Sequence, residues 1–157
     1  MKITLLCVGK TDDKYLETGI QEFQKRLGRY ISFQMFCLPD VKNSSKLTQA
    51  ELKIREGKLI LSKIKSNDFL VLLDEKGKEF RSVDFANYLE KQMIGSISSM
   101  VFVIGGPYGF DKQVYDRAQG LISLSKMTFS HQMIRLFFVE QLYRGMSILK
   151  GLPYHHE

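Results

Sequence analysis

The stretch that decides the fold reads Ser99-Met100-Val101-Phe102-Val103-Ile104-Gly105-Gly106-Pro107-Tyr108-Gly109. An apolar run that ends abruptly in Gly-Gly-Pro-x-Gly is typical of a buried strand of a parallel sheet entering a loop. Glycine lets the backbone approach a bound molecule, and proline fixes one backbone dihedral angle. In open α/β sheets, such loops lie at the carboxyl ends of strands, where small molecules bind. The stretch indicates either a ligand-binding loop or an ordinary turn, and its surroundings must decide between them.

Strand and helix patterns alternate on both sides of this stretch. The strand patterns cover residues 2–9, 30–38, 69–73, 100–104 and 121–124. The helical patterns begin near residues that can cap a helix, namely Thr11–Asp12, Thr48, Ser82, Asp111 and Ser130, and the last helix runs to about Lys150. This alternation predicts an α/β fold with a mostly parallel sheet of five to six strands. A length of 157 residues with 44% apolar composition predicts one domain over residues 1–157.

The charge balance suggests a polyanionic partner. The formal net charge is +6, and residues 42–65 contain seven basic and two acidic side chains. This concentration favours a nucleic-acid surface, with a merely soluble basic surface as the alternative. Cys7 and Cys37 lie in apolar strand-like runs and are expected to be buried, unreactive thiols.

The N-terminal residues predict a cytoplasmic protein. The sequence leads directly into a strand pattern at Lys2 and shows no signal peptide. No apolar run approaches the roughly 20 residues that span a bilayer, so we expect no membrane association. No spacing of His, Cys, Asp or Glu suggests a metal site.

Polar residues interrupt the apolar face of the last helix. His131 and Arg135 lie one turn apart among apolar side chains. Arg135 is predicted either to face a ligand or RNA, or to be buried in an ion pair. His131 is predicted either to act at a site or to bond the backbone near the helix start. The surplus of apolar residues, including Leu136, Phe137 and Tyr143, predicts a two-fold dimer.

Four motifs resemble those of a known family. They read Ile104-Gly105-Gly106-Pro107-x-Gly109, Ser123-Leu124-Ser125-x-Met127-Thr128-x-x-His131-x-x-x-Arg135, Glu140-Gln141-Leu142-Tyr143-Arg144 and Pro153-Tyr154-His155. With these motifs, essentially the whole chain resembles the RlmH family, small SPOUT-superfamily methyltransferases of large-subunit ribosomal RNA. Two positions depart from the family pattern: Ser130 stands where relatives often have Pro, and His156 where Lys or Arg is usual.

The resemblance implies a SPOUT α/β-knot, in which the C-terminal part of the chain is threaded through a trefoil knot. It also implies a homodimer that binds S-adenosyl-L-methionine with three loops of the knot. On this sequence, the cofactor-binding residues would be Leu73, Gly105, Gly106, Pro107, Leu124, Ser125, Lys126, Met127, Thr128 and Phe129. The expected reaction is methylation at N3 of a pseudouridine in a hairpin loop of 23S rRNA, on assembled ribosomes and without a metal.

Three residues are expected to serve catalysis under this resemblance. Arg135 would fix a phosphate or the base, Tyr154 would stack on or orient the base, and His155 would be the general base. Because the tail follows the dimer helix, it would complete the site of the partner protomer. From composition alone, a disordered tail is the alternative for Tyr154 and His155. A non-catalytic ribosome- or RNA-binding protein, and a methyltransferase acting on tRNA, are the alternative functions.

Overall fold

The computed structural model describes residues 1–156 and shows strands and helices alternating along this part of the chain. The strands are β1 (Lys2–Val8), β2 (Ser32–Leu38), β3 (Phe69–Glu79), β4 (Ser99–Ile104) and β5 (Gly120–Ser123). The α-helices are α1 (Lys14–Leu27), α2 (Gln49–Leu61), α3 (Ser82–Ile94), α4 (Lys112–Arg117) and α5 (Met133–Leu149). A short 3-10 helix at Ser44–Lys46 precedes α2.

The strands form one sheet in the order β2-β1-β4-β3-β5, and every neighbouring pair is parallel. The predicted α/β class with a mostly parallel sheet is therefore confirmed. Alternate residues of β1 enter different apolar clusters, because successive side chains of a strand point to opposite faces. Leu5 packs with residues of α1, α3 and α5, whereas Leu6 packs with residues of α2 and α4. Helices thus cover both faces of the sheet.

Local hydrogen bonds explain where the helices begin. At α2, the Thr48 side chain accepts from the Glu51 amide at 3.2 Å, and Glu51 accepts from the Thr48 amide at 2.8 Å. This capping box is the one that the sequence predicts. Helix α5 begins later than predicted, although Ser130 Oγ still accepts from the Met133 amide at 3.0 Å. Ser82 is the first residue of α3 rather than its cap, and its hydroxyl donates to Gln141 Oε1 at 2.9 Å.

Strand β3 is longer than predicted. The apolar pattern ends at Leu73, but after an irregularity the chain pairs with β5 again at Lys78 and Glu79. Gly77 lies against β5 there, because a Cβ on this residue would be 2.4 Å from the carbonyl carbon of Ile122. The resemblance implies a knot in this half of the chain. The trefoil knot itself stays a prediction.

The two cysteines differ in exposure. Cys7 on β1 is buried, and burial raises the pKa of its thiol to about 12. The expectation that Cys37 is also buried is wrong, because β2 is the outer strand of the sheet and leaves this residue exposed. Within residues 1–156, no helix combines the length and the hydropathy needed to cross a membrane.

Candidate functional site

A cleft of about 470 Å³ opens where three loops meet beside the carboxyl ends of β4 and β5. The first loop follows Leu73, the second follows Ile104 and the third follows Ser123. The residues predicted to bind a cofactor line this cleft with one exception: Leu73, Gly105, Gly106, Pro107, Leu124, Ser125, Met127, Thr128 and Phe129. Lys126 is exposed on the third loop and does not belong to the lining. Loops distant in sequence thus meet where the resemblance predicts a site.

The second loop is compact and presents main chain to the cleft. The amide of Gly109 donates to the carbonyl of Gly106 at 3.3 Å, which closes a turn around Pro107. A Cβ on Gly105 would lie 3.0 Å from the ring of Phe110, so a larger residue would push that ring away. The glycines therefore let strand β4 turn sharply and leave backbone groups available to a ligand.

The third loop is shaped by its serine side chains. The hydroxyl of Ser123 is buried and donates to the carbonyl of Ser125 at 2.9 Å. The hydroxyl of Ser125 in turn accepts from the amide of Met127 at 2.9 Å. Such local side-chain bonds fix a turn without regular secondary structure. The side chain of Met127 is left 75% exposed beside the cleft.

The first loop is held by a tyrosine that the sequence analysis did not identify. The hydroxyl of Tyr115 on α4 donates to Asp74 Oδ2 at 2.5 Å, and the amide of Lys76 donates to Asp74 Oδ1 at 2.8 Å. Burial, together with the adjacent Asp74 carboxylate, raises the pKa of Tyr115 to about 12. Asp74 and Tyr115 both line the cleft. The abrupt change from an apolar strand to Asp74-Glu75-Lys76-Gly77 is the sequence signal that could have identified this loop.

Arg135 does not have the role predicted for it. Its side chain is 0% exposed, and its guanidinium donates to the main-chain carbonyls of Val8, Gly9 and His131 at 2.8–3.0 Å. It also donates to the Thr11 hydroxyl at 3.0 Å. These acceptors occupy the guanidinium inside the protein, so the expected contact with a phosphate or base is wrong. Neutral oxygens replace the carboxylate that the ion-pair alternative required.

His131 lies between the two alternatives that the sequence left open. Its side chain lines the cleft, and it is the residue through which the third loop enters the turn before α5. Its carbonyl oxygen accepts from Arg135 Nε at 3.0 Å. The residue therefore joins the buried arginine to the cleft wall through its backbone, with its imidazole on the cleft side.

Tyr154 and His155 are docked against α5, away from the cleft of their own protomer. The hydroxyl of Tyr154 donates to Glu140 Oε1 at 3.0 Å, and the guanidinium of Arg144 lies 4.7 Å from the centre of the Tyr154 ring. His155 Nδ1 lies 3.5 Å from Arg144 Nη1. Burial and the Glu140 carboxylate raise the pKa of Tyr154. Both residues are half-buried, so this part of the tail is ordered against the helix.

The chemistry of the cleft is that of a site for a small organic molecule. Its wall combines main-chain amides and carbonyls, hydroxyl groups and apolar side chains such as Leu73, Ile104 and Leu124. Such a mixture buries an apolar ligand while a few polar groups orient it. Among residues 1–156, no group of three or more His, Cys, Asp or Glu side chains is placed to hold a metal ion.

Comparison with known proteins gives a consistent result. Proteins named ribosomal RNA large subunit methyltransferase H from Flavobacterium johnsoniae and Parabacteroides distasonis are 54% and 56% identical to this chain, over the full length of both chains in each pair. The protein of that name from Bacteroides thetaiotaomicron is 52% identical over the same extent. The family model described as "Predicted SPOUT methyltransferase" matches residues 1–155. The chain belongs to the SPOUT methyltransferase family, and its relatives are ribosomal RNA large subunit methyltransferases of the H type.

Proposed function

We propose that this protein uses S-adenosyl-L-methionine to methylate N3 of a pseudouridine in 23S rRNA. One observation carries the proposal: the loops that the resemblance assigns to the methyl donor come together around a single cleft. The names of the relatives support large-subunit ribosomal RNA as the substrate. The pseudouridine and the N3 position follow from the RlmH resemblance.

The dimensions and lining of the cleft fit S-adenosyl-L-methionine. A volume of about 470 Å³ lies within the range of about 300–1,000 Å³ that is usual for small-molecule pockets. Main-chain groups of the second and third loops can bond the adenine and ribose, while Leu73 and Leu124 provide apolar contact. When bound, the donor supplies an electrophilic methyl group on a sulfonium. The loops then hold donor and acceptor in line and exclude water.

The exposed apolar surface beside the cleft supports a homodimer. Phe129 and Phe137 form a ring pair with centroids 4.9 Å apart, and they are 38% and 40% exposed. With Met127 they form an apolar patch, which we call the dimer patch. Large apolar side chains next to one another on a surface mark an interaction site. A second copy of the chain would bury the dimer patch next to the methyl-donor cleft.

The dimer gives the tail a role that it lacks within one protomer. Tyr154 and His155 do not line the cleft of their own chain, so they would act in the cleft of the partner protomer. There His155 would accept the N3 proton, and Tyr154 would stack on or orient the base. This arrangement would bring the acceptor nitrogen to the methyl group only when two protomers are assembled.

The basic residues around α2 support ribosomal RNA as the partner. The side chains that are exposed in this region include Lys42, Lys46, Arg55, Lys58, Lys63 and Lys65. Exposed cations bind phosphates and make the affinity for RNA fall with salt. We propose that the protein acts on assembled ribosomes in the cytoplasm, without a metal and without a membrane partner.

Two measurements test the proposed function. Calorimetry should detect binding of S-adenosyl-L-methionine to the purified protein, whereas a non-catalytic RNA-binding protein would not bind it. Mass mapping of rRNA from a strain that lacks the gene should reveal one pseudouridine without its methyl group, and restoring the gene should restore the mass. A fully methylated 23S rRNA in the deletion strain, or a missing methyl group in tRNA instead, would refute the proposal.

A further inference from the structure

We infer that Glu56 is a positioning residue for the methyl-donor loop, which it holds by accepting a hydrogen bond from the Gly106 amide. The inference rests on the proposed function only in naming the ligand of the cleft. Glu56 belongs to α2, does not line the cleft and is 7% exposed. It would act through the loop and not by touching the donor.

The packing of α2 fixes the position of Glu56. The next residue, Gly57, lies so close to α4 that a Cβ there would be 3.2 Å from both Asp111 Cβ and Val114 Cγ2. One turn further along, Ile60 is buried in the apolar cluster on the same face of the sheet. Helix α2 is therefore held against the helix that follows the methyl-donor loop, and the carboxylate of Glu56 has little freedom to move.

The contact between Glu56 and Gly106 is close on two counts. The Gly106 amide donates a hydrogen bond to the carboxylate. A Cβ on Gly106 would lie 2.7 Å from each carboxylate oxygen, so a side chain at this position could not coexist with Glu56. The direction in which a Gly106 side chain would point is occupied by Glu56. The main chain of the loop lines the cleft beside it.

The surroundings of Glu56 make its charge costly. Burial, the nearby Asp40 carboxylate and the resulting repulsion raise the pKa of Glu56, and the Gly106 amide opposes this shift. A buried carboxylate destabilises a protein unless hydrogen bonds compensate for its lost hydration. Here the compensating donor is the backbone of the loop itself. A charge-assisted hydrogen bond of this kind is stronger than one between neutral groups and restrains the loop accordingly.

The decisive comparison is between Glu56→Gln and Glu56→Asp. Glutamine keeps the length and one acceptor oxygen, whereas aspartate keeps the charge but is one methylene too short to reach Gly106. Glu56→Ala removes the acceptor completely, and Glu90→Gln on the exposed side of α3 is the matched control. Each variant is examined for hydrogen exchange of the Gly106 amide by NMR and for affinity toward S-adenosyl-L-methionine by calorimetry.

We expect Glu56→Asp and Glu56→Ala to accelerate exchange of the Gly106 amide by about tenfold and to weaken donor binding by about tenfold. Glu56→Gln should stay within about threefold of the wild type in both measurements, and Glu90→Gln should match it. If the alanine variant does not fold, the glutamine and aspartate pair decides. Unchanged exchange in Glu56→Asp, or an equal loss in both variants of that pair, would overturn the inference. If the wild type fails to bind the donor, the proposed function fails, while the exchange data still test Glu56.

Discussion

Arg135 connects two distant parts of the chain through a single buried cation. Its guanidinium reaches the carbonyl of Val8 at 2.8 Å and that of Gly9 at 3.0 Å, where β1 ends. The same group bonds the carbonyl of His131 at 3.0 Å, in the turn that leads from the cleft into α5. A charge without exposed surface is stable only when its donors are satisfied, and carbonyl dipoles satisfy them here. Arg135 therefore fixes the helix that carries the dimer patch.

Replacing this residue should affect folding before it affects chemistry. Arg135→Lys keeps the charge but cannot reach several acceptors at once, which leaves buried carbonyls unbonded at about 1–3 kcal/mol each. We expect a loss of about 3 kcal/mol in the free energy of unfolding and a fall of roughly 6–12 °C in the melting temperature. Thermal and denaturant unfolding would measure this, with the exposed Arg29→Lys as the control. An unchanged melting temperature combined with lost methyl transfer would instead restore Arg135 to a role in substrate binding.

Glu56 should make stability depend on pH in a defined direction. Because its pKa is raised in the folded state, the folded protein binds a proton more tightly than the unfolded chain does. Stability therefore falls as the pH rises from the ordinary range of a glutamate through the raised value. Glu56→Gln does not ionise, so its melting temperature should exceed that of the wild type by more at pH 7 than at pH 4. A difference that shrinks from pH 4 to pH 7 would contradict this, and Asp40→Asn would separate the contribution of the neighbouring carboxylate.

At the scale of elements, the sequence predicted those parts of the fold that depend on local periodicity and capping. The Thr48–Glu51 capping box and the apolar run of β4 are both in place. The pattern was insufficient at β3, because the strand pairs again at Lys78 and Glu79, where polar residues hide it. It was also insufficient at Cys37, because nothing local distinguishes an outer strand from a central one.

The loops of the candidate site were predictable from motifs, whereas their supports were not. Gly105 and Leu124 stand in recognisable patterns and both line the cleft. Glu56 and Tyr115, by contrast, lie on helices and look like ordinary polar residues of amphipathic segments. Their importance arises from tertiary contacts with Gly106 and Asp74. The error at Arg135 has the same origin, since its acceptors are main-chain carbonyls whose position no side-chain pattern reveals.

The crossing of the first loop over β5 can be tested at Gly77. Any Cβ there would lie 2.4–2.7 Å from backbone atoms of Ile122, so one of the two segments must shift. We expect Gly77→Ala to lower the melting temperature by several degrees and to weaken donor binding, because Leu73 and Asp74 would move with the loop. Gly28→Ala is the control, since a Cβ at that helix end makes only ordinary contacts of 3.5–3.7 Å. Equal stability of both variants would show that the crossing tolerates a side chain.

At the scale of the whole molecule, one protomer contains a cleft and a tail that do not meet. The cleft lies beside the dimer patch at the start of α5, whereas Tyr154 and His155 are held by Glu140 and Arg144 further along the same helix. A two-fold axis near α5 would bring the tail of one protomer to the cleft of its partner. Assembly would then be a condition for catalysis and not only for stability.

Mixed dimers can distinguish a shared site from two separate ones. Ser125→Trp should obstruct the cleft and His155→Ala should remove the proposed base, so each homodimer is expected to be inactive. When equal amounts of the two chains are refolded together, about half of the dimers contain one chain of each kind. In a shared site, each such dimer has one cleft and one tail intact together, which predicts about a quarter of wild-type methyl transfer. If each tail served its own cleft, no dimer would contain a complete site, and the mixture would be as inactive as its parents. Light scattering and donor binding on each parent would confirm that both variants still fold and form dimers.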